Sequence, residues 1–227
     1  MAAARLRRVE LLVERPSTKA HLIDVGEELF GLYGLDGISL REIAASAGQA
    51  NVNVVQYHFG DKLGLIRAIL EDRILQLERI RREMLEGLAA AGHQRNRRAL
   101  LAAILLPALN FQNARSGHVF CRFLLQCYIH PDSGYDDVGG RHDALRRQKK
   151  RKKGDAQLAI VQIVELLQES FAEIPPTVLL RRLKAVHLMF MACVVEFDNA
   201  RKAGKRHKEF DPEPILDMAV GALSAPS

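Results

Sequence analysis

Asn51, Asn53 and Gln56 place three primary amides within six positions, and Gln49 adds a fourth just ahead of them. An amide side chain both donates and accepts, the combination needed to bond the edge of a base in a DNA groove. Tyr57, His58 and Lys62 follow, bringing a hydroxyl, an imidazole and an ammonium that can reach phosphate oxygens. With Thr18, Ser39 and Arg41 they make the candidate DNA-contacting set. Each also has a plainer role open to it. Asn51 and Asn53 can begin a helix or close a turn, and Tyr57 and His58 can pack the helix that carries them on its neighbour. Phe59 and the valines at 52, 54 and 55 read as packing residues. Asp61 reads as a cap for the next helix, because its charge is wrong for phosphate.

The elements that hold these residues are helical, and no convincing alternating strand appears. Pro16-Ser17-Thr18 is a helix start, since a hydroxyl can accept from the orphan amides of a first turn. Leu22, Val25, Leu29 and Tyr33 then recur at helical spacing up to a stop at Gly34. Ser39 with Glu42 three positions on is a capping-box pattern for a short second helix carrying Leu40, Ile43 and Ala44, which Gly48 ends. A third short helix is predicted over 51–57. A long fourth follows, with Ile66, Leu70, Ile74, Leu77, Met84 and Leu88 on one stripe. Two short helices joined by a glycine turn behind a longer one are the layout of a helix-turn-helix. Ala44 and Ala47 are small enough to let the two helices approach around Gly48.

Leu29-Phe30, Gly34, Gly37, Ser39-Leu40, Ile43-Ala44, Ala47-Gly48 and Tyr57-His58-Phe59-Gly60-Asp61-Lys62 together resemble the N-terminal domain of the TetR family, over roughly 18–70. Between Gly48 and Phe59 the chain runs one residue longer than the usual family spacing, which we read as an insertion in the turn. The resemblance implies an all-α protein: an N-terminal three-helix DNA-binding domain, then a C-terminal helical domain for ligand binding and dimerisation. On that basis the chain divides into a basic arm (1–16), a helix-turn-helix domain (17–62) and the second domain (63–227). The implied partners are double-stranded operator DNA, a small-molecule effector and a second copy of the chain, with no cofactor and no metal.

Composition agrees without deciding. The 227 residues are 48% hydrophobic and 26% charged, with net charge +6 and a pI near 9.4. That sign favours a polyanionic partner. Cys121, Cys127 and Cys193 form no Cys-x-x-Cys spacing, which fits reduced thiols in a cytoplasmic protein. The first residues lack a signal-peptide stretch, and the longest apolar run, 99–109, contains Pro107 and is too short to cross a membrane. A cytoplasmic protein, nucleoid-associated when bound to DNA, is expected.

Further helices are predicted near 95–114, 117–130, 155–172, 177–203 and 212–223, the last two being the dimerisation pair implied by the resemblance. Their apolar stripes are ordinary core, or line a cavity in mid-domain. The candidate effector contacts are Asn110, Phe111, Phe123, Gln126, Cys127, His187, Phe190 and Val194, with Asn110, Gln126 and His187 as polar orienters. Pro107 either kinks its helix or ends it. Two basic features remain. Arg5, Arg7, Arg8 and Arg15 mark an arm that either frays or lies along DNA. The run 146–153 is either a solvated face or a second anionic contact. An enzyme finds no support in motifs: there is no phosphate loop, no His-Glu-x-x-His and no nucleophile elbow. His118 and Cys121, three apart, are a weak metal pair. The rival to a ligand-released repressor is a ligand-independent architectural protein that uses 146–153.

Overall fold

Ser17 begins the first helix, its hydroxyl accepting from the Ala20 amide at 3.2 Å. In the computed structural model, which describes residues 17–51, 53–130, 133, 158–205 and 209–225, this helix is α1 (Thr18–Tyr33). Gly34 ends it at φ 82°, a left-handed backbone that costs glycine little. α2 (Leu40–Ser46) starts with the complete capping box: Ser39 N–H donates to Glu42 Oε2 at 2.8 Å, and Glu42 N–H to Ser39 Oγ at 3.3 Å. The third helix, α3 (Val54–Phe59), opens later than the sequence predicts. Asn51 Oδ1 accepts the Asn53 amide at 3.0 Å, a local turn contact, so Asn51 and Asn53 stand before the helix rather than in its first turn. Asp61 caps the 29-residue α4 (Lys62–Ala90) by accepting from Gly64 N–H at 2.7 Å.

The helix predicted over 95–114 is shorter. α5 (Arg97–Leu105) passes into a 3₁₀ segment, Leu106–Asn110, because Pro107 has no N–H to continue the ladder. Residues 111–117 then make a turn closed by reciprocal Asn113–Gly117 backbone bonds of 2.9 and 3.0 Å. After it come α6 (Val119–Ile129), α7 (Ala159–Ser170), α8 (Pro176–Lys202) and α9 (Glu213–Ser224). The Glu78 carboxylate of α4 caps α7 by accepting the Ala159 and Ile160 amides at 2.7 and 3.3 Å. Among the described residues there are helices and no strands. The basic arm, Val52 and the 146–153 run lie outside the described residues.

One hydrophobic core runs from Leu22 in α1 to Leu223 in α9. α1 packs on both α4 and α6, and α6 packs on α8, so the helix-turn-helix is joined directly to the rest. Tyr33, placed on the apolar stripe of α1 by its spacing, instead points outward and is 54% exposed. A buried polar cluster crosses the α1–α4 seam. Arg73 of α4 is forked onto Glu27 of α1, with its Nε 2.8 Å from Oε1, and reaches Asp24 at 3.0 Å and Asp72 at 3.2 Å. Its guanidinium also lies 5.1 Å from the centroid of the Phe111 ring.

Candidate nucleic-acid interface

α3 is six residues long, and its burial pattern fixes which face looks out. At about 100° per residue, Val55 and Phe59 share the inward side. Val55 is fully buried and Phe59 is half-buried. Asn53, Gln56 and Tyr57 share the opposite arc and are exposed, Tyr57 by 85%. Val54 and His58 sit half-buried on the flanks. The His58 ring stands edge-on to Tyr57, 5.1 Å between centroids, and 6.0 Å from Phe59. The plain packing role therefore fails for Tyr57 and holds in part for His58. α2 braces this helix through fully buried Ile43 and Ala44, with Ala47 nearly buried beside Gly48, whose φ is 68°.

The remaining candidates divide by what their polar atoms already do. Thr18 and Arg41 are exposed. Ser39 is committed to its box: its hydroxyl lies 2.7 Å from Glu42 Oε2, and those bonds hold the Glu42 carboxyl below its ordinary value. Gln49 is half-buried and donates Nε2 to the Ala47 carbonyl at 3.3 Å. Lys62 donates to the Leu35 carbonyl at 3.0 Å, tying the α1–α2 loop to the start of α4. The Asp36 carboxyl in that loop is lowered chiefly by its hydrogen bond from His130, with Lys62 contributing. Lys19, which carries no motif, comes beside α3 with its ammonium 5.9 Å over the Phe59 ring. Only the fold reveals it, since 40 positions separate the two in sequence.

Most of the candidate effector contacts are buried in the core. Phe123, Phe190 and Val194 are fully buried, and Cys127 and Phe111 nearly so. Phe123 lies 6.3 Å from Phe30 and 6.4 Å from Phe120, in the packing between α1 and α6. Burial pushes the Cys127 thiol up, which keeps it protonated. Gln126 is half-buried against the end of α1 at Gly34. Asn110 is a correction: it is exposed, and its Nδ2 donates to the Pro107 carbonyl at 3.1 Å, so it orients nothing in an interior. His187 has a partner the sequence could not supply, with Nδ1 2.8 Å from the Tyr128 hydroxyl. Burial, with the Arg81 charge adding, pushes its imidazole down to about 3.

His118 and Cys121 go to separate partners. The His118 ring is 2.9 Å from the buried Asp198 carboxylate, which also accepts the His118 amide at 2.8 Å. The Cys121 thiol points at the Ala108 carbonyl, and burial raises it. Among the described residues no group of three His, Cys, Asp or Glu side chains is placed to hold a metal ion. None of the described helices is long and apolar enough to cross a membrane.

Residues 22–69 match the family model described as bacterial regulatory proteins, tetR family. This segment is thus a TetR-type helix-turn-helix, a DNA-binding domain of transcription regulators. The chain is also similar to the crystal structure of PfmR, a TetR family transcriptional regulator from Thermus thermophilus. That similarity has 14% sequence identity and a TM-score of 0.49, and covers 87% of this chain and 100% of that one. A comparison with curated proteins gives no match.

Proposed function

We propose that this TetR-type helix-turn-helix chain is a sequence-specific transcriptional repressor that binds a palindromic operator as a homodimer. A small apolar or amphipathic effector in the second domain then releases it. The observation that carries the reading is the outward arc of α3. Two amides and a phenol face solvent on a helix whose other side, through Val55, is anchored in the core. Side chains held that way can enter a major groove, where all four base pairs are distinguishable. Exposed Thr18 and Arg41, with Lys19 over Phe59, serve as phosphate contacts, which set register rather than sequence.

Pairing through α8 and α9 is supported by apolar surface on both. On the α8 side Ala192, Val195, Ala200 and Ala203, together with Glu196, Asn199 and Lys205, line an open groove of about 430 Å³. Met218 on α9 is 59% exposed. A symmetric dimer puts two copies of α3 on half-sites about 34 Å apart, or a multiple of that. Release works through the seams already described. An effector lodged near Tyr128 and His187 disturbs α6 and α8, and α6 bears directly on α1. A coupling of about 1–3 kcal/mol changes operator affinity roughly 5- to 150-fold. Selection of bound duplexes from a random pool tests the DNA half. A palindromic consensus supports it, and recovery of unenriched sequence overturns it. Thermal-shift and binding screens across apolar compounds test the effector half, which falls if none weakens operator binding.

A further inference from the structure

The four amides around α3 are not equivalent, and the difference points to a base. Gln49 is held by an N–H of its amide on the Ala47 carbonyl, and Asn51 by its amide oxygen accepting from Asn53 N–H. Among the described residues the side chains of Asn53 and Gln56 hold no hydrogen bond, and both are exposed. They lie three apart on the outward arc, about 4.5 Å along the helix axis. That is nearer one base-pair step of about 3.4 Å than two. Between Asn53 and Phe59 there is no Arg, Lys, Asp or Glu.

Those facts select among base edges. Adenine shows the major groove an acceptor at N7 and a donor at N6, which a free amide meets with its NH₂ and its carbonyl together. Guanine shows two acceptors, so an amide carbonyl would face O6 unmatched. The side chains that read guanine as a fork, or accept from cytosine N4, are the types α3 lacks. We infer that Asn53 and Gln56 each read an adenine, so that every operator half-site contains two neighbouring A·T pairs at its centre of contact. This rests on α3 entering the major groove, as proposed above.

The test uses the full chain and three arms. The first selects duplexes from a random pool, and two neighbouring A·T pairs per half-site are expected. The second replaces each of those adenines by 7-deazaadenine, which loses N7 but keeps Watson–Crick pairing. Each replacement weakens binding several-fold, within the roughly 5- to 150-fold carried by a bidentate contact. The third repeats the selection with Gln56→Glu. A carboxylate accepts from cytosine, so one A·T pair is replaced by C·G while the other stays. A half-site that is enriched but indifferent to 7-deazaadenine overturns the adenine assignment and leaves the groove reading standing. An unchanged consensus with folded Gln56→Glu does the same. If no sequence is enriched, the groove reading has failed and the assignment with it. The 7-deazaadenine arm needs no variant, so a folding defect in Gln56→Glu does not blunt the test.

Discussion

Replacing Arg73 with Met takes away the cation that joins the DNA-binding helices to α4 at the Glu27 seam, and its cost follows from burial. The side chains of Arg73 and Glu27 are 8% and 1% exposed. Burial pushes the Glu27 carboxyl up in spite of its hydrogen bond and charge pairing with Arg73. Burial also works against the Arg73 charge, but Glu27, Asp24 and Asp72 together more than offset it and hold the guanidinium protonated. Arg73→Met leaves Glu27 as a buried charge without its counter-ion, at about 3–5 kcal/mol. For a chain of this size each kcal/mol lowers Tm by about 2–4 °C, so the loss is roughly 6–20 °C. Asp24 and Asp72 are 42% and 31% exposed and can turn to water. The double variant Glu27→Leu with Arg73→Met therefore recovers most of the loss, as buried pairs replaced by apolar groups commonly do. Urea denaturation and thermal melts of the two variants beside the parent chain measure this. A single variant within about 1 kcal/mol of the parent would refute the argument, since that is the behaviour of an exposed pair.

Three further outcomes follow from the same geometry. The His187 imidazole resists protonation down to about 3, whereas the unfolded chain takes up that proton near the ordinary 6.5. The unfolded state binds more protons across that window. His187 thus makes stability fall as pH drops below about 6.5, by about 1.4 kcal/mol per unit; His187→Gln flattens this slope in urea titrations at pH 5 and 7, and an unchanged slope contradicts the assignment. Gly117 holds φ 73°, and a Cβ there would stand 2.5 Å from the Asp198 carboxylate. Gly117→Ala costs about 1–3 kcal/mol in backbone strain alone and displaces the His118–Asp198 contact, seen as a lower melting temperature; a neutral melt would show that the turn can move. Val195→Arg puts a long charged side chain into the groove beside α8, where Val195 stands among Ala192, Ala200 and Ala203. Self-association weakens by about 2 kcal/mol, roughly thirtyfold, in sedimentation; an undisturbed dimer places the partner elsewhere.

The helix-turn-helix is legible in the chain because its signals are local. Ser39 with Glu42, the turn at Gly48 and the cap at Asp61 each act within three or four residues, and all appear where the spacing puts them. The start of α3 falls later than its pattern suggests because Asn51 satisfies a helical amide and a turn equally well on paper, and only the Asn53 N–H decides which. The end of α5 is overrun for a related reason: 99–109 is apolar throughout, and the missing Pro107 N–H breaks a pattern that hydrophobicity alone continues. Long-range polar partners leave no trace in the chain. Glu27 with Arg73, His118 with Asp198, and Tyr128 with His187 are separated by 46, 80 and 59 positions. Asn110 reads as an interior group for the same lack. A polar residue among apolar ones does not reveal that its amide is satisfied three residues back, on the surface.

The most direct test of the whole account is a binding titration at one fixed salt concentration, with a selected duplex against a shuffled duplex of equal length and composition. A reader of base edges binds the first at least about 10³-fold more tightly. Equal affinity for the two, falling together as salt rises, would mean that the chain grips phosphate alone and that the α3 arc reads nothing.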